Sequence, residues 1–464
     1  MSEDVNVSSA PLEGLDSSAL SLMKDENRLL EILNIQGEAA FREALRPLHP
    51  ADFSDQFEQL STEQREAFIA RGGHLITAEV LAELEDEVVE DILPLLPSEQ
   101  IAEAIGDLDN DDATQIIEEM DAAQRQDILG RLDEADRAAV EASLTFDDET
   151  IGRLMQREFV AAPPFWSVGD TIDHMRAAGD DLPDLFYNIW VVDTAFRPKG
   201  YIAVSQLVRR PRDQTLEQIM LDDIVTVAQD MDQEEAAYLF EKYSLISAPV
   251  LDEAGRIVGV MTVDDIVEII QDENKEDMLA LAGVSEAGLT DTALSTVKAR
   301  APWLLVNLFT AILASIVIAQ FDFAIAKLVA LAVLMPVIAS MGGNAGTQTL
   351  AVAVRALSER DLTSQTAWRS VRREALAGML NGIIFAALLG GIAYLWFSDG
   401  RLALVAFAAM IVNHLFAALA GILVPLGLKR AGADPAVSSS VFVTTVTDII
   451  GFFSFLGLAA IFLL

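Results

Sequence analysis

Near the C-terminal end, the stretch SSSVFVTTVTDIIGFF places Ser440, Thr444, Thr447 and Asp448 in an otherwise apolar run. Their spacing keeps them on one face of a helix. Asp448 is the only acid in Val437–Leu464, and no basic residue in that run neutralises it. At membrane depth such a charge costs about 2.5–3.5 kcal/mol unless it is hydrated or paired. A cation passing through water would pair it. A second apolar run is interrupted by PVIASMGGNAGTQTL, Pro336 to Leu350. Pro336 withdraws a backbone donor while Gly342, Gly343 and Gly346 remove side chains, which predicts a kinked helix open to close backbone approach. Asn344 and Gln348 in the same turns need partners or water, so this stretch is read as lining a cavity. Packing of small residues against a neighbouring helix is the competing reading. Asn381 and Asn413, inside other apolar runs, could complete the lining, with interhelical hydrogen bonding the favoured role for either.

A third set of oxygen donors follows Asp265, in DIVEIIQDENKEDMLALAGVSEAGLTDTALSTVKAR, which reads as helix. Asp265, Glu268, Asp272 and Glu276 succeed one another at steps of three, four and four, and Glu273 with Asp277 makes a further i,i+4 pair. Like charges so placed destabilise a helix by roughly 0.2–0.5 kcal/mol per pair. Only Lys275 intervenes, so the stripe is read as cation-binding, the alternative being a merely solvated surface. The chain has no cysteine and four scattered histidines, His49, His74, His174 and His414. No nitrogen–sulfur cluster for zinc or copper can form, and oxygen ligands remain.

The elements that position these groups differ sharply in composition. The 464 residues are 52% hydrophobic yet carry formal charge −41. Residues 301–464 hold 9 basic and 7 acidic residues, which leaves about −43 on residues 1–300. So acidic a surface excludes nucleic acid as a partner. After residue 300, five apolar segments each reach bilayer length: Ala301–Phe321, Ile325–Leu350, Glu374–Phe397, Leu402–Leu428 and Val437–Leu464. The connection Arg355–Arg373 is rich in arginine, whereas the turns Phe321–Phe323 and Ser398–Arg401 carry little charge. The positive-inside bias puts that connection in the cytoplasm, with Lys298, Arg300, Lys429 and Arg430 in agreement. The acidic part is then cytoplasmic and the C-terminus external, in the plasma (inner) membrane.

The N-terminus, MSEDVNVSSAPLEGLDSS, is polar and acidic, unlike a signal or transit peptide. Leu84, Leu96, Leu108, Met120, Leu132 and Leu144 recur every twelve residues, which predicts stacked short helices. Pro97-Ser98-Glu99-Gln100, Asp109-Asn110-Asp111-Asp112 and Asp133-Glu134 read as helix starts. From Ile151, β-branched runs alternate with helices, twice: Leu154-Met155 and Val160 match Ile219-Met220 and Val225 at a shift of 65, and Val192-Asp193 and Gly200 match Leu251-Asp252 and Gly259 at 59. The first copy therefore has six extra residues near Asp180–Ile189. The two copies resemble a tandem pair of CBS domains, a module with a cleft for nucleotides. Gly259, Thr262 and Asp265 fit that family's ribose-contacting pattern G-x-x-T-x-x-D, which implies an adenine nucleotide such as ATP as candidate ligand. The first copy has Ala203 and Gln206 instead, and a purely structural role competes.

Taken together, the chain resembles the MgtE family of magnesium channels. The order of parts carries the resemblance, with FDDETIGRLM, PVIASMGGNAGTQ and DPAVSSSVFVTTVTDIIGF. It implies a multi-domain membrane protein: a disordered tail over 1–24, an all-α acidic superhelix over 25–145, an α/β tandem CBS pair over 146–271, a connecting amphipathic helix over 272–300 and a five-helix transmembrane pore over 301–464. It further implies a homodimer whose pore lies between second and fifth spans, with Asp448 of both chains as the ion site. Cytoplasmic magnesium on acids including Asp265, Glu273, Glu276 and Asp277 would hold the pore shut. Magnesium dehydrates reluctantly, so a few oxygens facing a hydrated ion suffice, in keeping with the donors present. Ser244, in KYSLISAPVLD, stands where an acid is expected in many members. A membrane-tethered CBS sensor without transport is the alternative function, and the spans hold no Ser–His, HExxH or paired-aspartate signature of an enzyme.

Overall fold

The computed structural model describes residues 28–33, 48–179, 182–183, 185–282, 284, 293–358, 367–433 and 435–464. The expected N-terminal tail and the middle of the arginine-rich connection lie outside the described residues. The chain divides into two compact units, Met1–Val267 and Glu268–Leu464.

In the first unit, short helices from Pro50–Glu58 to Glu134–Ser143 stack around one apolar core. Each is too short to be stable alone and needs its neighbours to cover its apolar face. The twelve-residue repeat falls in the turns between them: Leu84, Leu96, Met120 and Leu132 are buried, and Leu108 and Leu144 pack against the same core. Asp121 and Asp133 cap their helices, each accepting from two backbone N–H groups. The segment 145–157 is tied to this array by Arg153, which pairs with Glu118 and donates to the carbonyls of Ser143 and Phe146.

Two three-stranded sheets follow. Strand β1 (Ala161–Ala162) runs parallel to β2 (Asn188–Val192), which is antiparallel to β3 (Pro198–Ala203). Strands β4 (Val227–Ala228), β5 (Ser247–Leu251) and β6 (Ile257–Thr262) repeat this order. Asn188 faces Ala203 as Ser247 faces Thr262, 59 residues on, and both ladders shift register one residue before the end. The extra six residues lie between helix Val168–Ala178 and β2, where the second copy has only residues 244–246 between helix Gln233–Tyr243 and β5. The copies exchange edges: Gln156 pairs with Val260 of β6, and the equivalent Leu221 pairs with Tyr201 of β3. Gly200 and Gly259 make this possible, since a Cβ would stand 2.7 Å from the Leu221 carbonyl oxygen and 2.6 Å from that of Gln156.

Among the described residues of the second unit, five helices are long and apolar enough to cross a membrane. They are Ala293–Ala319, Ala330–Ser358, Ala367–Phe397, Gly400–Arg430 and Pro435–Phe462. The fourth is central, with Leu402, Ala409, Ala417 and Ile422 among its buried residues. The second differs from the span expected at Ile325–Leu350. Residues 322–327 form a separate short helix, Leu328 leaves helical geometry, and the long helix then runs on past Leu350 to Ser358. It also continues through Pro336, so the span is not interrupted there. The proline forgoes one backbone bond without ending the helix, as neighbouring helices allow at membrane depth.

Candidate ion pathway and acidic cluster

On the fifth helix the hydroxyls satisfy themselves against the backbone. Thr444 Oγ1 donates to the Ser440 carbonyl at 2.8 Å and Thr447 Oγ1 to the Thr444 carbonyl at 2.9 Å. Thr447 is fully buried, with Val443, in the notch that Gly346 leaves on the second helix. Gly342 leaves a second notch, filled by the carboxamide of Asn413 from the fourth helix. On the other faces of these turns Gly343 borders open space, and Asn344 and Gln348 are exposed in the single chain, as is Thr444. Ser440 and Asp448 are half-buried. Among the described residues no hydrogen bond or ion pair engages the Asp448 carboxylate. The geometry thus divides the stretch in two: Gly342, Gly346 and Thr447 face neighbouring helices, while Asn344, Gln348 and Thr444 stay open.

At the start of the connecting helix, Val263–Ala282, Asp265 reaches back to the preceding residue: Thr262 Oγ1 and N–H both donate to Asp265 Oδ2, at 2.7 and 3.3 Å. The T-x-x-D pair therefore has a local structural job. Gln156 Nε2 also donates to Asp265, at 3.3 Å. Burial pushes the Asp265 carboxyl up to about 6, with the charges of Asp264 and Asp109 adding to the rise and the Thr262 hydrogen bonds opposing it. Burial and then the charges of Asp265, Asp112 and Asp109 hold Asp111 well above the ordinary carboxylate range. Asn110 Oδ1 and Asp111 Oδ1 are buried without a hydrogen-bond partner among the described residues. The stretch Asp109–Asp112 starts the helix Asn110–Glu118, as expected, but it also presents acids to Asp265. The available signal was its surplus: one helix start needs one or two acceptors, and here four consecutive residues carry them.

Further along the connecting helix Glu273 and Asp277 are half-buried and Glu276 is exposed. Among the described residues no three histidine, aspartate or glutamate side chains stand close enough to hold a metal ion together. Ser244 is the C-cap of helix Gln233–Tyr243, in left-handed conformation at φ 53°. At its far end the connecting helix packs Ala280 and Leu281 against Leu350 and Val354 of the second long helix and Val443 and Val446 of the fifth.

These features define a polytopic membrane protein whose soluble part joins a helical array to a CBS pair. Sequence comparison makes the class specific. Residues 335–458 match the MgtE family described as "Divalent cation transporter", residues 48–149 the MgtE intracellular N domain, and residues 216–272 the CBS domain. The magnesium transporter MgtE of Thermus thermophilus is 35% identical over 332 residues, covering 70% of this chain and 73% of that one. Its Bacillus subtilis counterpart is 27% identical, covering 70% and 72%. Among solved structures, the cytosolic domain of the Mg2+ channel MgtE in complex with ATP is 32% identical, with 53% of this chain and 99% of that one covered and a TM-score of 0.49. The soluble part of a magnesium transporter gives 25%, 54%, 99% and 0.48. The chain belongs to the MgtE family of magnesium transporters.

Proposed function

We propose that this chain forms a homodimeric channel that conducts Mg2+ down its electrochemical gradient, with Asp448 of both copies as the ion site, and that cytoplasmic Mg2+ closes it. The observation that carries the gating half is the packing of Ala280 and Leu281 on both the second and fifth helices. Those two helices bear Asn344 and Asp448, and the helix that touches them carries Asp265 in its first turn. A cation neutralising Asp265 with Asp109, Asp111 and Asp112, and others held by Glu273, Glu276 and Asp277, would favour one placement of the connecting helix. Through it they would favour one arrangement of the pore. The relatives' activity supports the choice of Mg2+ as the cargo. The soluble part is assigned to the cytoplasm and the C-terminus to the outside on the charge of the loops. Thr262 and Asp265 are the candidate contacts for an adenine nucleotide at the CBS pair.

The test is Mg2+ flux through purified protein in liposomes, with magnesium set independently on each side. Flux that stops as magnesium rises on the soluble-domain side supports the reading. Flux indifferent to magnesium on that side removes the gating half.

A further inference from the structure

The carboxamide of Asn413 sits where three helices meet. Asn413 is fully buried in the fourth long helix, and its Nδ2 donates to the Ile338 carbonyl of the second helix at 2.8 Å. Two glycines make room for it. A Cβ on Gly342 would overlap Nδ2, and one on Gly451 of the fifth helix would come within 2.9 Å of it. The next residue, His414, serves a different neighbour, stacking on Phe385 of the third helix with ring centroids 5.8 Å apart.

The level of this contact matters. Gly342 lies two residues before Asn344, and Gly451 lies three residues after Asp448. One side chain from the fourth helix is thus wedged between the segments that carry the two polar groups of the pathway. Filling space does not explain it. An apolar side chain of similar volume would fill the gap without burying polar atoms, whereas Asn413 Oδ1 is left without a hydrogen-bond partner among the described residues. What the amide adds is a directed bond to one backbone oxygen of the second helix, and hence a fixed rotation and height of that helix relative to the fourth, against whose Asn413 the fifth packs through Gly451.

We propose that Asn413 is a positioning residue for conduction: by tying Ile338 while lodged against Gly342 and Gly451, it sets the distance between Asn344 and Asp448 that the passing ion meets. This rests on the reading of Asp448 as the ion site. Groups that orient an ion's ligands without touching the ion are worth about 10–100-fold in activity.

The experiment compares Mg2+ and Mn2+ flux in liposomes at low magnesium on the soluble-domain side. It uses full-length protein carrying Asn413→Leu, Gly342→Ala, both Gly342→Ala and Asn413→Ala, or Asp448→Ala. Asn413→Leu is expected to lower Mg2+ flux on the order of tenfold and to change the ratio of Mg2+ to Mn2+ flux, which a smaller folded fraction alone would leave unchanged. Gly342→Ala should yield little folded protein, because its new methyl overlaps the amide. The double variant should recover folded yield, since the amide is gone, yet keep the low flux and altered ratio. An unchanged ratio in Asn413→Leu, or full recovery of flux in the double variant, overturns the proposal. Normal flux through Asp448→Ala would instead overturn the ion-site reading beneath it, so the two failures are distinguishable.

Discussion

Asp265, at the start of the connecting helix, strengthens the hold of Asp111, at the start of one short helix of the acidic array, on its proton, and Asp109 from that same helix start does the same to Asp265. All three sit in the first unit, so the contact joins the helical array to the second CBS copy. Because the folded protein keeps a proton on Asp265 up to about pH 6 while the unfolded chain loses it near 3.8, the folded state binds more protons between those values. Stability therefore falls as pH rises through that window. In chelator, the full-length protein should resist protease better at pH 5.5 than at pH 7.5, by about 1 kcal/mol or less from this group, since most of its effect falls below pH 5.5. Asp265→Asn should flatten the dependence, and magnesium at pH 7.5 should restore protection to the parent. A pH profile identical in parent and variant would remove the electrostatic account.

Asp448→Ala should abolish Mg2+ flux in liposomes while leaving expression and membrane insertion intact, because an apolar side chain is favoured at that depth. Undiminished flux would sink the assignment. Asn344→Leu should lower flux without abolishing it, since its carboxamide adds to a field that the carboxylate dominates.

Neutralising Glu273, Glu276 and Asp277 to Gln, Gln and Asn should let the channel conduct at magnesium concentrations that silence the parent. Moving a two-state gate from 1:99 to 99:1 takes roughly 5.5 kcal/mol of differential binding, which several weak sites can supply together. The same variant should lose part of its magnesium-dependent protection from protease. Closure at an equal concentration in both proteins would make the stripe a solvated surface only.

Gly259→Ala forces a methyl against the Gln156 carbonyl and the Met155 side chain. The backbone there cannot retreat without giving up the Gln156–Val260 bridge, so a loss of about 1–3 kcal/mol is expected. Thermal unfolding of the full-length protein would report it. Gly255→Ala, whose Cβ would meet open space but whose φ of 75° strains any side chain, should cost about 1 kcal/mol and leave the bridge in place.

Repetition made much of the soluble architecture readable. Leu84, Leu96, Met120 and Leu132 recur because each turn between short helices must drop one apolar side chain into a shared core. The shifts of 65 and 59 are likewise physical, since helix Val168–Ala178 and β2 have counterparts at those two offsets. What periodicity and hydropathy could not see was conformation without a compositional mark. Leu328 is apolar, and the lone Lys327 before it does not by itself mark where one helix ends and the next begins, so the apolar run was read through the break. Asp109–Asp112 looked like an ordinary helix start because its second partner, Asp265, is distant in the chain. Asn413 could be placed in a span but not given a neighbour until the notches at Gly342 and Gly451 were visible.

The exchanged edges of the two CBS copies bear on how the protein is made. Gln156 leaves the ribosome long before its partner Val260; at about 5–20 residues per second the wait is roughly 5 to 20 s. During that interval the helical array can complete its own core and Leu221 can claim the edge of β3, but the segment at Gln156 is left without its partner, a template for pairing with another nascent chain. Synthesis of β6 closes that interval, and it does so before any membrane-length helix has been translated. The order of domains along the gene thus lets the soluble part secure its own strands while the hydrophobic cargo of the chain is still unwritten.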